Sequence, residues 1–152
     1  MSAQAPTVNA TEATALARQV AEALWRQDRA SQHLGMRLLH VGDGEADVGM
    51  TVQAEHCNGF GTLHGGLLAA LADSAFAMAC NSRNELTVAA GFDITIVQSA
   101  QAGQDLIAQA RCLHQGGRSG VYDVTVCRGD EPIAHFRGRS QRLTGRKAVE
   151  GL

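Results

Sequence analysis

Between positions 67 and 80 the chain reads Leu-Leu-Ala-Ala-Leu-Ala-Asp-Ser-Ala-Phe-Ala-Met-Ala-Cys, good helix formers with apolar side chains at nearly every place. Such a helix has no polar face to offer water, so the pattern predicts burial on all sides. Elsewhere the period shortens. Ala46, Val48, Met50 and Val52 alternate with polar or small residues, and Val88, Ala90, Phe92, Ile94 and Ile96 do so again. Alternation of this kind predicts half-buried strands. Further strands are read at 34–41, 106–113, 121–127 and 133–140, with turn signals at Gly42-Asp43-Gly44, Ala102-Gly103, 115–120 and Gly129-Asp130. The short connections suit successive antiparallel hairpins.

Ahead of the strands, Ala13, Leu16, Ala17, Val20 and Leu24 recur at helical spacing behind a candidate N-cap at Thr11, which predicts a helix over 11–29. Residues 1–10 and 144–152 read as flexible tails, leaving one domain over 11–143. The sum is an α+β fold in which an antiparallel sheet of about six strands wraps one central helix. One sheet face covers the helix; the other must meet water or another subunit.

Composition narrows the functions available. The 152 residues are 45% hydrophobic and 18% charged, with a net charge of -2, enough for one core and too little field to hold nucleic acid or anionic lipid. The four cysteines, Cys57, Cys80, Cys112 and Cys127, form no CxxC pair, and the histidines lack metal-like spacing, so no metal is expected. Reduced cysteines, no apolar leader in the first ten residues and no uninterrupted apolar span predict a cytoplasmic protein that enters no membrane.

One residue breaks the greasy helix. Asp73 is the only acid between Glu55 and Glu85, and the neighbouring turns offer Ala69, Ala70, Phe76 and Ala77, none able to pair with it. A buried unpaired carboxylate is costly unless its pKa rises or a partner arrives. Asp73 either emerges at a seam or bonds a structural partner, or it is a functional base with a raised pKa. The same helix opens with His64-Gly65-Gly66. Its first N–H groups lack intrahelical partners and lie at the positive end of the helix dipole, where an oxyanion could be held; an ordinary loop-to-helix junction would look the same. Gly65 and Asp73 are eight positions apart. At about 1.5 Å per residue that is about 12 Å, too far for both to act on one carbon from one helix. If both act together, a second copy must supply one of them, which predicts a homodimer with two shared sites.

These residues carry a resemblance. Asn58-Gly59-Phe60-Gly61-Thr62-Leu63-His64-Gly65-Gly66, then Ala70-Leu71-Ala72-Asp73-Ser74-Ala75, Ala79-Cys80-Asn81-Ser82-Arg83, Thr87-Val88-Ala89-Ala90-Gly91, Gly116-Gly117-Arg118-Ser119-Gly120-Val121-Tyr122-Asp123-Val124 and Phe136-Arg137-Gly138-Arg139-Ser140 together resemble the hotdog-fold acyl-CoA thioesterases of phenylacetate degradation. The resemblance runs from about Gly35 to Arg142 and implies a hotdog fold, a homotetramer built from two dimers, and hydrolysis of aryl-acetyl or hydroxylated aryl-acetyl CoA thioesters without a cofactor, coenzyme A being part of the substrate. It implies that Asp73 is the catalytic carboxylate, that the Gly65 N–H polarises the thioester carbonyl, and that His64 and Asn58 assist around the thioester and the attacking water.

Coenzyme A brings several phosphates. Gly116, Gly117, Arg118, Ser119 and Gly120 are the local candidate for them, against the plainer reading of a hairpin turn with a solvated arginine. Gly66 and Arg83 are added as substrate-binding candidates, and Arg137 and Arg139, alternating on one strand, either extend a nucleotide groove or make a solvated face. Two other functions stay in view: an acyl-thioester hydratase or dehydratase on the same fold, and a non-catalytic acyl-CoA-binding module.

Overall fold

The computed structural model describes residues 9–152. Its elements, in chain order, are α1 (Ala10–Gln27), α2 (Arg29–His33), β1 (Met36–Gly42), β2 (Glu45–Thr51), a single 3-10 turn (Ala54–His56), α3 (Gly65–Cys80), β3 (Glu85–Ile96), β4 (Asp105–Gly116), β5 (Ser119–Arg128) and β6 (Glu131–Lys147). The strands form one antiparallel sheet in the order β1-β2-β4-β5-β6-β3, and α3 packs against all six. This is the hotdog arrangement expected from the sequence.

Alternation places Val48, Met50, Leu106, Ala108, Val124 and Val126 on the face that meets Leu68, Leu71, Ala72, Ala75, Phe76 and Ala79 of α3, all buried. Burial of each large apolar side chain contributes about 1.5–3 kcal/mol, and this interlayer holds the helix in place. Phe76 sits between Tyr122 and Phe136, with ring centroids 5.5 and 5.8 Å away. Only glycine fits beneath it at 138, where a Cβ would lie 2.9 Å from three Phe76 ring atoms.

Five expectations change. The helix read at 11–29 is two helices. Asn9, not Thr11, caps the first: its side chain accepts from Glu12 N at 2.9 Å while Glu12 reaches back to Asn9 N. Asp28 then breaks the run and recaps the second, its carboxylate accepting from Ser31 N at 3.0 Å. Helical periodicity runs smoothly through such a junction and does not register it. The tail expected over 144–152 is held down: β6 pairs with β3 as far as Lys147, and Asn84 Nδ2 donates to Val149 O and Leu152 O at 3.1 Å each. Polar composition there reports exposed side chains, not unpaired backbone. Of the tail expected over 1–10, residues 1–8 lie outside the described residues, and Asn9 and Ala10 belong to α1 and its cap.

The central helix is also not buried on every side. Gly66 is exposed and Ala69, Ala70, Asp73 and Ala77 are half-buried, a stripe at helical spacing that the sheet does not cover. One sheet edge is bare as well. β3 is the last strand, and its Val88 (43% exposed), Phe92 (41%) and Ile96 (45%) face solvent together with Val97 (54%). A long apolar edge strand of this kind is ordinarily paired or covered.

Candidate active site

The N-terminus of α3 decides which backbone donor is free. His64 is the N-cap, in extended geometry (φ -60, ψ 129), and its Nδ1 accepts from Gly66 N at 3.0 Å. Its carbonyl oxygen accepts from Leu67 N at 2.9 Å and from Leu68 N at 3.1 Å. Three of the four first-turn donors are thereby used. The Gly65 N–H alone has no acceptor among the described residues. His64 thus selects one donor, and because its Nδ1 accepts, the neutral ring carries its proton on Nε2. Gly66 offers no free N–H; its missing side chain leaves room for the His64 ring, which a Cβ would approach to 3.1 Å.

Gly65 lines a cavity of about 320 Å³ together with Asn58, Thr62, Leu68, Ile96 and Val97, among others. Asn58 holds the loop: its Oδ1 accepts from Phe60 N at 2.9 Å and from Thr62 N and Oγ1 at 3.3 Å. The carbonyl side of the amide is spent on the turn, and its NH2 group makes no hydrogen bond among the described residues. At Gly65 a Cβ would come within 3.2 Å of Ile96 Cδ1, so the backbone and this aliphatic wall approach closely.

Asp73 does not line that cavity. It lies on the uncovered stripe of α3, two turns on, and makes no hydrogen bond or ion pair with the described residues. Burial raises its pKa above the usual carboxylate value. Further along the helix, burial first and the Asp73 charge second push the Cys80 thiol up to about 12, which keeps it protonated and unreactive at neutral pH. Ser74 is committed elsewhere. Ser31 Oγ donates to Asp28 Oδ2 at 2.6 Å, so in the 2.8 Å contact between the two hydroxyls Ser74 is the donor and Ser31 accepts.

The candidate phosphate residues separate into two groups. Gly117 (φ +51) and Arg118 form a two-residue hairpin turn, while Gly116, Ser119 and Gly120 belong to the flanking ladder. Gly117 and Arg118 line a cavity of about 300 Å³ together with Glu85, Arg142 and Arg146. Arg142 Nη2 pairs with Glu85 at 2.9 Å, yet its Nε is buried without a partner. Sequence reading missed Arg142 and Arg146, which meet Arg118 only because β6 returns beside β5. Arg83 is elsewhere: its Nε donates to Asp43 Oδ1 at 2.6 Å across the β1–β2 turn. The sequence could not show this pairing, because Asp43 lies forty residues away in the chain. Arg137 and Arg139 are likewise held, by Asp123 at 2.7 and 2.8 Å and by Asp93 at 2.6 Å. Among the described residues no cluster of His, Cys, Asp and Glu could hold a metal ion, and no helix is long and apolar enough to cross a membrane.

A six-stranded antiparallel sheet around one helix, with one N–H at the helix tip unpaired among the described residues and a lone acid two turns on, places the chain in the class of hotdog-fold proteins. The particular family follows from comparison: the chain belongs to the thioesterase superfamily, whose model matches residues 60–134. It is 40% identical to the acyl-coenzyme A thioesterase PaaI of Escherichia coli over 84% of this chain and 91% of that one. The solved structure of that E. coli protein, from the phenylacetic acid degradation operon, superposes with a TM-score of 0.85 over 88% of this chain and 97% of the other at 39% identity. The human acyl-coenzyme A thioesterase 13 is 35% identical over 70% of this chain and 78% of its own length. A Streptococcus mutans protein solved bound to acetyl CoA matches with a TM-score of 0.70 at 25% identity, covering 74% of this chain and 91% of that one.

Proposed function

We propose that the chain hydrolyses acyl-CoA thioesters to free acid and CoA at sites shared between two copies. The observation that carries this reading is the isolation of the Gly65 N–H by the His64 cap, at the positive end of a 16-residue helix. A thioester carbonyl seated there receives one charge-stabilising donor as its oxygen turns anionic. Asn58 lines the same cavity with its amide group available, and the half-buried Asp73 has the raised pKa of a carboxylate suited to take a proton.

In the reaction the oxygen of water bonds to the acyl carbon, its proton passes to Asp73, and the carbon–sulfur bond breaks as that proton reaches the leaving thiolate. Alternatively the Asp73 carboxylate attacks the acyl carbon, the carbon–sulfur bond breaks to expel the CoA thiolate, which takes a proton from water, and a water molecule then hydrolyses the mixed anhydride to the free acid and Asp73. Both routes need the same two groups, and His64 and Asn58 orient the thioester and the water in either.

The two-copy arrangement is supported by the bare edge of β3 and the small-residue stripe of Gly66, Ala69, Ala70 and Ala77 around Asp73. If two β3 strands pair antiparallel about their midpoint, between Ala90 and Gly91, Ile96 of one protomer stands opposite Glu85 of its copy. Each Gly65 then lies beside the copy's α3 open face and its Arg118, Arg142 and Arg146 cluster, where the CoA phosphates bind. Two such dimers form a tetramer in this reading, and the enzyme works in the cytoplasm without a cofactor. The operon of the E. coli relative supports aryl-acetyl groups as the acyl part.

Thiol release from phenylacetyl-CoA, hydroxyphenylacetyl-CoA and medium- and short-chain acyl-CoA tests the activity, and hydration of enoyl-CoA or tight binding without turnover would replace it. Co-assembly of a Gly65→Pro and an Asp73→Asn subunit tests the sharing. Each keeps about a hundredth of the activity or less alone; mixed dimers recover one wild-type site, and no recovery above that residual level would refute a site built from two copies.

A further inference from the structure

A second cavity lies at the other end of the strand order from β3. It is a groove of about 670 Å³ between α1 and β1, the opposite sheet edge, and none of the candidate active-site residues lines it. Arg18, Glu22, Trp25 and Arg26 form its helical wall, and Arg37 and Leu39 its strand wall, over a floor of buried Met36 and Val41. The strand wall is irregular. The register of β1 slips between Leu38 and His40, and Leu39, 50% exposed, folds over Gly49, where a Cβ would lie 3.0 Å from it. Bulges of this kind re-aim a side chain.

The groove gathers three arginines without an ion pair among the described residues; Arg29, Arg118, Arg146 and Lys147 share that state elsewhere on the molecule. Arg83, Arg111, Arg128, Arg137, Arg139 and Arg142 are each ion-paired to an Asp or Glu. Arg18, Arg26 and Arg37 have no carboxylate within ion-pair distance among the described residues, and all three line the groove. Glu22 is the one acid there, and His40 at the margin is taken by Glu45 at 2.9 Å. The groove therefore holds an excess of positive charge beside an indole and an aliphatic wall.

We propose that this groove binds a small organic anion with a hydrocarbon or aryl body. The guanidinium groups hold its carboxylate, and Trp25 and Leu39 receive the body. The guanidinium fork alone would suit a phosphate equally; the apolar floor selects a carboxylate that carries hydrocarbon. Free acids of this class are what thioester hydrolysis releases, but the site stands apart from that reading and is tested without turnover.

Trp25 is the only tryptophan in the chain, so its emission reports on this groove. The full-length protein is titrated with octanoate, with benzoate and with inorganic phosphate. The two carboxylates are expected to give a saturable change in Trp25 emission and phosphate none. The Arg26→Ala, Arg37→Ala double variant is expected to bind octanoate about tenfold more weakly, with unchanged far-UV circular dichroism and unchanged thioester hydrolysis. A non-saturating response, an affinity untouched by the double variant, or an equal response to phosphate would overturn the proposal. None of these outcomes bears on the Gly65 site, whose test is thiol release.

Discussion

Proline at position 65 would delete one N–H from the candidate site while keeping the helix that presents it. Gly65 is the first residue of α3 after its cap, the position where proline is best tolerated. His64 already has the extended geometry (φ -60, ψ 129) that a residue before proline requires. The Gly65 N–H has no acceptor among the described residues, so no hydrogen bond between them is lost. The steric cost is confined to Ile96, whose Cδ1 lies 3.2 Å from the new Cβ and which is 45% exposed and free to shift. Reduced freedom of the unfolded chain offsets that by about 0.4–1 kcal/mol, so the melting temperature should barely change. The rate should fall by about 10²–10³, or about 2.7–4 kcal/mol of transition-state stabilisation. Gly65→Ala is the control, because it adds the same Cβ and keeps the N–H. Thiol release measured on both, with thermal melts, isolates the donor. If the proline variant turned over within about threefold of the alanine variant, the Gly65 N–H would not be the oxyanion donor.

Asp73→Asn should lower kcat by about 10²–10⁴ and leave the fold intact; near-normal hydrolysis would remove the carboxylate from the chemistry. The same variant should be more stable than the parent at pH 7. Because burial raises the folded-state pKa of Asp73, ionisation opposes folding above that pKa, and the difference should vanish in melts below the unfolded value near 3.8. The acid limb of the kcat/KM profile should likewise sit above pH 3.8, and a limb at or below it would contradict a raised pKa. Arg142→Met should raise KM for an acyl-CoA about tenfold and leave the matching pantetheine thioester unaffected; equal effects on both would place the phosphates elsewhere. Val88→Lys puts a charge on the bare edge of β3 and should give a folded monomer without activity, read by size-exclusion chromatography; an active dimer would mean that the copies meet by another surface.

Much of this molecule is written locally. Leucine and alanine density marks the central helix, a two-residue period marks the strands, and Asp73 stands out because nothing near it in the chain can pair with it. Those signals come from side chains and their immediate neighbours, so they survive in one dimension. The fate of individual donors and charges does not. That Gly65 rather than Gly66 keeps a free N–H depends on the direction of the His64 ring. Arg83 is drawn to Asp43, while Arg142 and Arg146 join Arg118, because of strand order and register. Asn84 pins the chain end from sixty-five residues away. Periodicity tells which face of an element is apolar, but not which distant polar group will lie within about 3 Å, and hydrogen bonds and ion pairs are decided at that range.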